Sequence, residues 1–190
     1  MPKLLCVFSS AVGRRSPSRK LARKALWCVV AWCCRWSRVD CRRCRQIACD
    51  INEPPRPIVG AVFIRGDVSM VRDQLVAAAG GPHSAHVVLS DMAPSTTGVT
   101  NVDAVRAVEC AQLGLALCER VLRRGGSYVA KLRNGAPSEQ RALCDAMTRA
   151  GFRSLSWSKP PASRKESAEI FIVAQDFAPS RQSSKAVVSE

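Results

Sequence analysis

From Gln46 onward, short apolar runs that end in a polar residue alternate with stretches of helical spacing. No other feature of the chain restricts its fold as tightly. Gln46–Asp50 is an apolar run closed by an acid, and Ile58–Ile64 is a second, leading into Arg65-Gly66-Asp67. Ser69–Ala79 places Val71, Leu75 and Val76 on one helical face, and Gly80-Gly81 stops it. Ala85–Leu89 reads as a strand running into Ser90-Asp91-Met92-Ala93-Pro94. Val102–Leu122 is a long helical pattern (Val105, Val108, Leu113, Leu115, Val121) closed by Arg123, Arg124 and Gly125-Gly126. Ser127–Leu132 is a strand, Ser138–Ala150 a helix, and Phe152–Trp157 and Glu169–Ala174 are two further strands. The pattern predicts an α/β domain: an open, mostly parallel sheet with helices on both faces. Only a loop joins the last two strands. A parallel crossover needs a dozen or more residues, usually helical, so this pair is expected to be antiparallel.

In such sheets ligands bind at the carboxyl ends of the strands, near a topological switch point. The polar residues that close strands are Asp50, Asp67, Asp91 and Lys131. An acid in the place of Asp50 suits hydrogen bonds from ribose hydroxyls. Lys131 interrupts the apolar run Tyr128-Val129-Ala130-Lys131-Leu132. Desolvation at the ends of buried strands disfavours a charged ammonium, which suits proton transfer. The residues alone leave plainer readings open: an acid ending a strand also caps turns, and a strand lysine also faces solvent at an edge.

Charge and cysteine divide the chain near Gln46. The net charge of +14 points to a polyanionic partner such as nucleic acid. Residues 1–50 carry 12 Lys/Arg against Asp40 and Asp50, whereas residues 51–190 carry 17 against 13 acids. Seven of the ten cysteines and three of the four tryptophans also fall before residue 51. The longest apolar run there, Ala25–Cys34, is half of the roughly 20 residues a bilayer-spanning helix needs, so no membrane segment is expected. The Arg- and Ser-rich stretch Gly13–Lys24 has the composition of a mitochondrial transit peptide, and a cytoplasmic protein with reduced thiols is the competing expectation. Cys41-Arg-Arg-Cys44 has zinc-ligand spacing, with Cys33, Cys34 or Cys49 available to complete a site. The irregular companions leave no metal in the expected function.

The segments Asp50-Ile51, Ile58-Val59-Gly60, Gly66-Asp67, Val88–Pro94, Thr96-Thr97-Gly98, Gly125–Lys131, Lys159-Pro160 and Ser163–Ala174 resemble the FtsJ-like ribosomal RNA methyltransferases in order and spacing. The resemblance implies a Rossmann-like fold and S-adenosyl-L-methionine as cofactor. It also implies methylation of a ribose 2′-hydroxyl, in bacteria a uridine of the 23S ribosomal RNA A loop. The implied partner is ribosomal RNA or the large subunit, met by a monomer. Of the family's Lys-Asp-Lys-Glu tetrad, the Asp matches Asp91, the second Lys matches Lys131 and the Glu matches Glu169, with Glu166 a near neighbour. The cofactor acids match Asp50 for ribose and Asp67 for adenine, with Asp91 also near the cofactor. Arg164 and Lys165 are candidate contacts to RNA phosphates.

One part departs from the family's pattern. A first strand and a glycine-rich loop should stand just before Gln46, where the loop lets backbone approach the methionine end of the cofactor. Between Val12 and Gly60 the one glycine is Gly13. Lys3 and Lys20 are candidates by distance for the family's first lysine. Cys, Trp and Arg enrichment together is what a GC-rich gene yields when read out of frame. The expected organisation is therefore an atypical segment over 1–45, an FtsJ-like domain over 46–176 and a disordered polar tail over 177–190. Re-reading the gene in all three frames tests the out-of-frame origin of the first segment.

Overall fold

The structure, a computed structural model, describes residues 5–10, 44–54, 61–93, 97–159 and 168–179, with backbone alone for 5–10, 44 and 45. The strands are β1 (Leu5–Ser10), β2 (Cys44–Asp50), β3 (Ala61–Arg65), β4 (Ala85–Ser90), β5 (Leu122–Arg133), β6 (Phe152–Ser158) and β7 (Glu169–Phe177). The helices are α1 (Arg72–Ala78), α2 (Thr100–Val121) and α3 (Pro137–Ala150). The strands form one sheet in the order β3-β2-β1-β4-β5-β7-β6.

The pairs β2–β3 and β4–β5 are parallel, while β1 and β7 run antiparallel to both of their neighbours. β2 through β6 therefore share one direction, which is the mostly parallel sheet that the alternation predicts. The expected antiparallel pairing of the last two strands is present, with Leu155 opposite Ala174. The central strand was not legible. Leu5–Ser10 fills the slot between β2 and β4, and it enters reversed, Leu5 pairing with Cys49 and with Ser90. A connection that follows β1 thus leaves from the end of the sheet opposite the carboxyl ends of β2 and β4.

The three helices of the described residues pack on a single face. Parallel crossovers are right-handed. From β3 to β4, β4 to β5 and β5 to β6 the chain steps the same way along the sheet, so α1, α2 and α3 must lie on the same side. Connections that step the other way fall in residues 11–43 and 51–60, mostly outside the described residues. The core on the helical face holds Ile47, Leu75, Val88, Leu117, Tyr128, Leu132, Leu143, Met147 and Ile172. The other face carries a smaller cluster of Leu89, Val129 and Val173 with Val87 and Phe171 beside it. Alternate residues of a strand point to opposite faces, which is why Val88 and Leu89, or Tyr128 and Val129, belong to different clusters.

Helix α2 lies close to the sheet because its inner stripe is small: Ala104, Ala107, Val108, Ala111 and Gly114 are buried, whereas Leu113 is exposed. The Tyr128 ring fills the space above Gly114, and its hydroxyl donates to Ala111 O at 2.8 Å. β5 begins at Leu122, five residues before the expected Ser127. Leu122 pairs with Ala85, and the register then shifts past Gly125, whose φ of 74° suits a residue without Cβ. At the other end β7 continues through Phe177, which is fully buried against Phe152 with ring centroids 4.9 Å apart. The ordered sheet thus extends one residue into the segment expected as tail.

Candidate active site

Five of the sequence-predicted site residues line up along one edge of this sheet. Asp67 follows β3, Asp50 ends β2, Asp91 follows β4, Lys131 lies near the end of β5, and Glu169 opens β7. Because β7 is reversed, its first residue meets the last residues of β5. The chain steps one way along the sheet from β1 through β3 and the other way from β4 onward, so the direction of travel reverses beside β1.

Asp91, Lys131 and Glu169 meet. Ser90 pairs with Ala130 in parallel register, which sets Asp91 level with Lys131. Lys131 pairs with Phe171, and Glu169 sits two residues along on the same face. Lys131 Nζ lies 2.5 Å from Asp91 Oδ1 and 3.7 Å from Glu169 Oε1. The lysine side chain is 17% exposed, Asp91 25% and Glu169 44%, so the group is partly open to solvent. Two carboxylates at these distances hold the amine in place without covering it.

Asp50 and Asp67 form the second group. Asp50 is 4% exposed, its Oδ1 accepts the Asn52 N–H at 2.9 Å, and its Oδ2 makes no hydrogen bond among the described residues. A buried carboxylate with one oxygen unused is suited to accept from a ligand's hydroxyl. Asp67 Oδ1 accepts from Ser69 N at 2.8 Å and Ser69 Oγ at 2.6 Å, which fixes the turn into α1. Between the two acids the buried Cys49 thiol is pushed up to about 11, first by desolvation and then by the charges of Asp50 and Asp67. That thiol is inert, and it reports that both carboxylates are close.

The structure adds a residue that the sequence reading missed. Asp103, in the first turn of α2 and 2% exposed, accepts from Thr97 N at 2.7 Å, Thr97 Oγ1 at 2.8 Å and Gly98 N at 3.3 Å. It pins the loop that follows the Ser-Asp-Met-Ala-Pro segment. The Thr97 backbone N–H holds its carboxyl below the ordinary value, helped by the Thr97 hydroxyl, the Gly98 N–H and the nearby Arg133 charge, against burial. An acid in the first turn of a helix was the available sequence signal. Arg164 and Lys165 fall outside the described residues, as do Glu166, Lys3, Lys20 and Cys41. Among the described residues no group of three or more His, Cys, Asp and Glu could hold a metal, and no helix is long and apolar enough to cross a membrane.

The family model for FtsJ-like methyltransferases matches residues 27–177. The chain belongs to the FtsJ-like methyltransferase family. The match begins inside the Cys- and Trp-rich stretch, ahead of Gln46. The chain is 39% identical over 149 residues to the ribosomal RNA large subunit methyltransferase E of Gluconobacter oxydans (strain 621H), covering 77% of this chain and 54% of that protein. It is 38% identical over 147 residues to the protein of the same name from Rhizorhabdus wittichii, covering 75% of this chain and 62% of that protein. The chain thus spans a little over half the length of these curated relatives. A crystal structure of a Plasmodium falciparum protein described as a ribosomal RNA methyltransferase superposes with a TM-score of 0.54 at 21% identity, covering 66% of this chain and 68% of that one. That likeness concerns the fold, which is the Rossmann-like methyltransferase fold.

The family implies S-adenosylmethionine, and the residues fit one half of it. Asp50, with one carboxylate oxygen unused among the described residues, and Asp67 suit the hydroxyls and the base of a nucleoside. The methionine half calls for a glycine-rich turn at the central strand, and the chain has neither the glycines nor, with β1 reversed, a turn leaving β1 at that edge.

Proposed function

We propose that this chain carries the catalytic residues of an S-adenosylmethionine-dependent RNA ribose 2′-O-methyltransferase. The substrate is ribosomal RNA of the large subunit, and within it a uridine of the 23S A loop, met by a cytoplasmic monomer. The meeting of Asp91, Lys131 and Glu169 beside the Asp50–Asp67 pair is the observation that carries the proposal. The names of the two curated relatives and the net charge of +14 support ribosomal RNA as the partner.

A ribose hydroxyl is a poor nucleophile until its proton is leaving. Lys131 Nζ takes that proton, a general-base contribution of about 10²–10⁴-fold in rate. Asp91 and Glu169 hold Nζ in position and accept hydrogen bonds from it afterwards. Asp50 accepts from the ribose hydroxyls of the cofactor, and Asp67 lies where the adenine is recognised. When bound, the cofactor supplies an electrophilic methyl group on a positively charged sulfur. A cation beside Lys131 also opposes the pull of the two carboxylates and favours the neutral amine that a base must be.

A second reading has its own observation. The missing glycines and the reversed β1 leave no cradle for the methionine end among the described residues, which favours a chain that binds RNA but holds cofactor weakly. Calorimetry with S-adenosylmethionine separates the two readings: we expect affinity weaker than micromolar, and micromolar affinity removes the second one. Incubation with labelled cofactor at millimolar concentration and ribosomal RNA, followed by nucleoside analysis, tests the activity. A ribose-methylated uridine is expected. Label confined to a base contradicts the proposal.

A further inference from the structure

Arg133 ends β5 two residues beyond Lys131, and the two share a face of the strand on either side of the buried Leu132. Its Nε is buried and has no hydrogen-bond partner among the described residues. The acid directly across the sheet is Glu169, which turns to Lys131 instead. The other nearby acid is Asp103, which feels the Arg133 charge while its oxygens are taken by Thr97 and Gly98. Gln140 holds the Arg133 backbone carbonyl at 2.9 Å, so the root of the side chain is fixed. The result is a guanidinium anchored beside the base, attracted by two carboxylates and ion-paired with neither among the described residues.

Such a group fits a phosphate oxygen pair. A guanidinium presents parallel N–H donors that match phosphate bidentately. The residue is partly exposed and Nε alone of its guanidinium nitrogens is both buried and unpaired, so the outer nitrogens are open to an arriving anion. Residues two apart on a strand face are separated by about 6.6 Å. In RNA the 2′-hydroxyl and the 3′-phosphate sit on neighbouring ribose carbons, so a phosphate seated on Arg133 brings the adjacent 2′-hydroxyl to Lys131. We propose that Arg133 grips the phosphodiester on the 3′ side of the target nucleotide and sets the ribose against Lys131. This rests on the reading of the chain as an RNA ribose methyltransferase and names a positioning residue for it.

The test is binding of a fluorescent A-loop RNA hairpin to the full chain, by anisotropy, over a series of salt concentrations. Arg133→Gln should weaken binding about tenfold. It should also make the dependence of log K on log salt shallower by about 0.7–0.9, one phosphate contact. Arg133→Lys should restore the slope and only part of the affinity, because an ammonium cannot bind bidentately. Arg153→Gln removes an exposed arginine at the opposite edge of the sheet, where β6 begins, and should change neither. An unchanged affinity and slope in Arg133→Gln overturns the proposal, as does a variant that loses cofactor affinity while binding RNA normally. Wild-type protein that binds no RNA overturns the ribose-methyltransferase reading itself.

Discussion

Lys131 Nζ rests 2.5 Å from Asp91 Oδ1, and the contact is set by the parallel register of two adjacent strands and not by local sequence. β4 and β5 are separated in the chain by the whole of α2, so α2 must seat β5 correctly for the pair to form.

Replacing Lys131 by Ala should lower methyl transfer by about 10²–10⁴-fold while leaving cofactor affinity nearly unchanged. Lys131→Arg should be as inactive, because a guanidinium does not give up its proton near neutral pH. Rates with ribosomal RNA and calorimetry with cofactor check both variants, and turnover retained in Lys131→Ala removes Lys131 from the mechanism.

Gly114 and Tyr128 should behave as a coupled pair. A Cβ added at Gly114 would collide with the Tyr128 hydroxyl. Gly114→Ala should therefore destabilise the fold by about 1–3 kcal/mol, the usual range for overpacking. Tyr128→Phe loses the bond to Ala111 O and should cost about 1 kcal/mol. The double variant should be more stable than the sum of the two predicts, since the clashing atom is gone. Denaturant titration of the four proteins measures the coupling, and strict additivity would contradict the packing described.

Asp103 makes a pH prediction. Its carboxyl titrates below the ordinary value in the folded chain, because the loop donors favour the charged form. Its contribution to stability is therefore complete above the unfolded carboxylate range, about 3.9, and is lost as pH falls through the lower folded value. Asp103→Asn should melt at a lower temperature than wild type near pH 7, and the gap should close below about pH 4. A gap that is the same at pH 3 and pH 7 would show that the loop contacts do not depend on charge.

Asp50→Ala should weaken binding of adenosine as well as of S-adenosylmethionine, because its carboxylate serves the nucleoside half that both share. Equal adenosine affinity in variant and wild type, by competition calorimetry, would remove Asp50 from the site.

The site was legible in the chain to the extent that chemistry interrupts periodicity. Asp50, Asp67 and Asp91 each end an apolar run, and Lys131 breaks one. Those interruptions mark strand ends whatever the sheet order is. Glu169 has no such mark, and the resemblance alone separated it from Glu166. Asp103 was missed because its partners come from a loop that folds back on it, a tertiary event with no periodic trace. Leu5–Ser10 was missed for a similar reason. A run of four apolar residues and two serines fits many places, and pairing with β2 and β4 decides both its interior position and its reversed direction.

The most direct test is nucleoside analysis of large-subunit ribosomal RNA after incubation with the chain and millimolar S-adenosylmethionine, with Lys131→Ala in parallel. Wild type should place methyl on a ribose 2′-oxygen, and the variant should do so about 10²–10⁴-fold more slowly. Methyl on a base, or equal ribose methylation by both proteins, would contradict this mechanism.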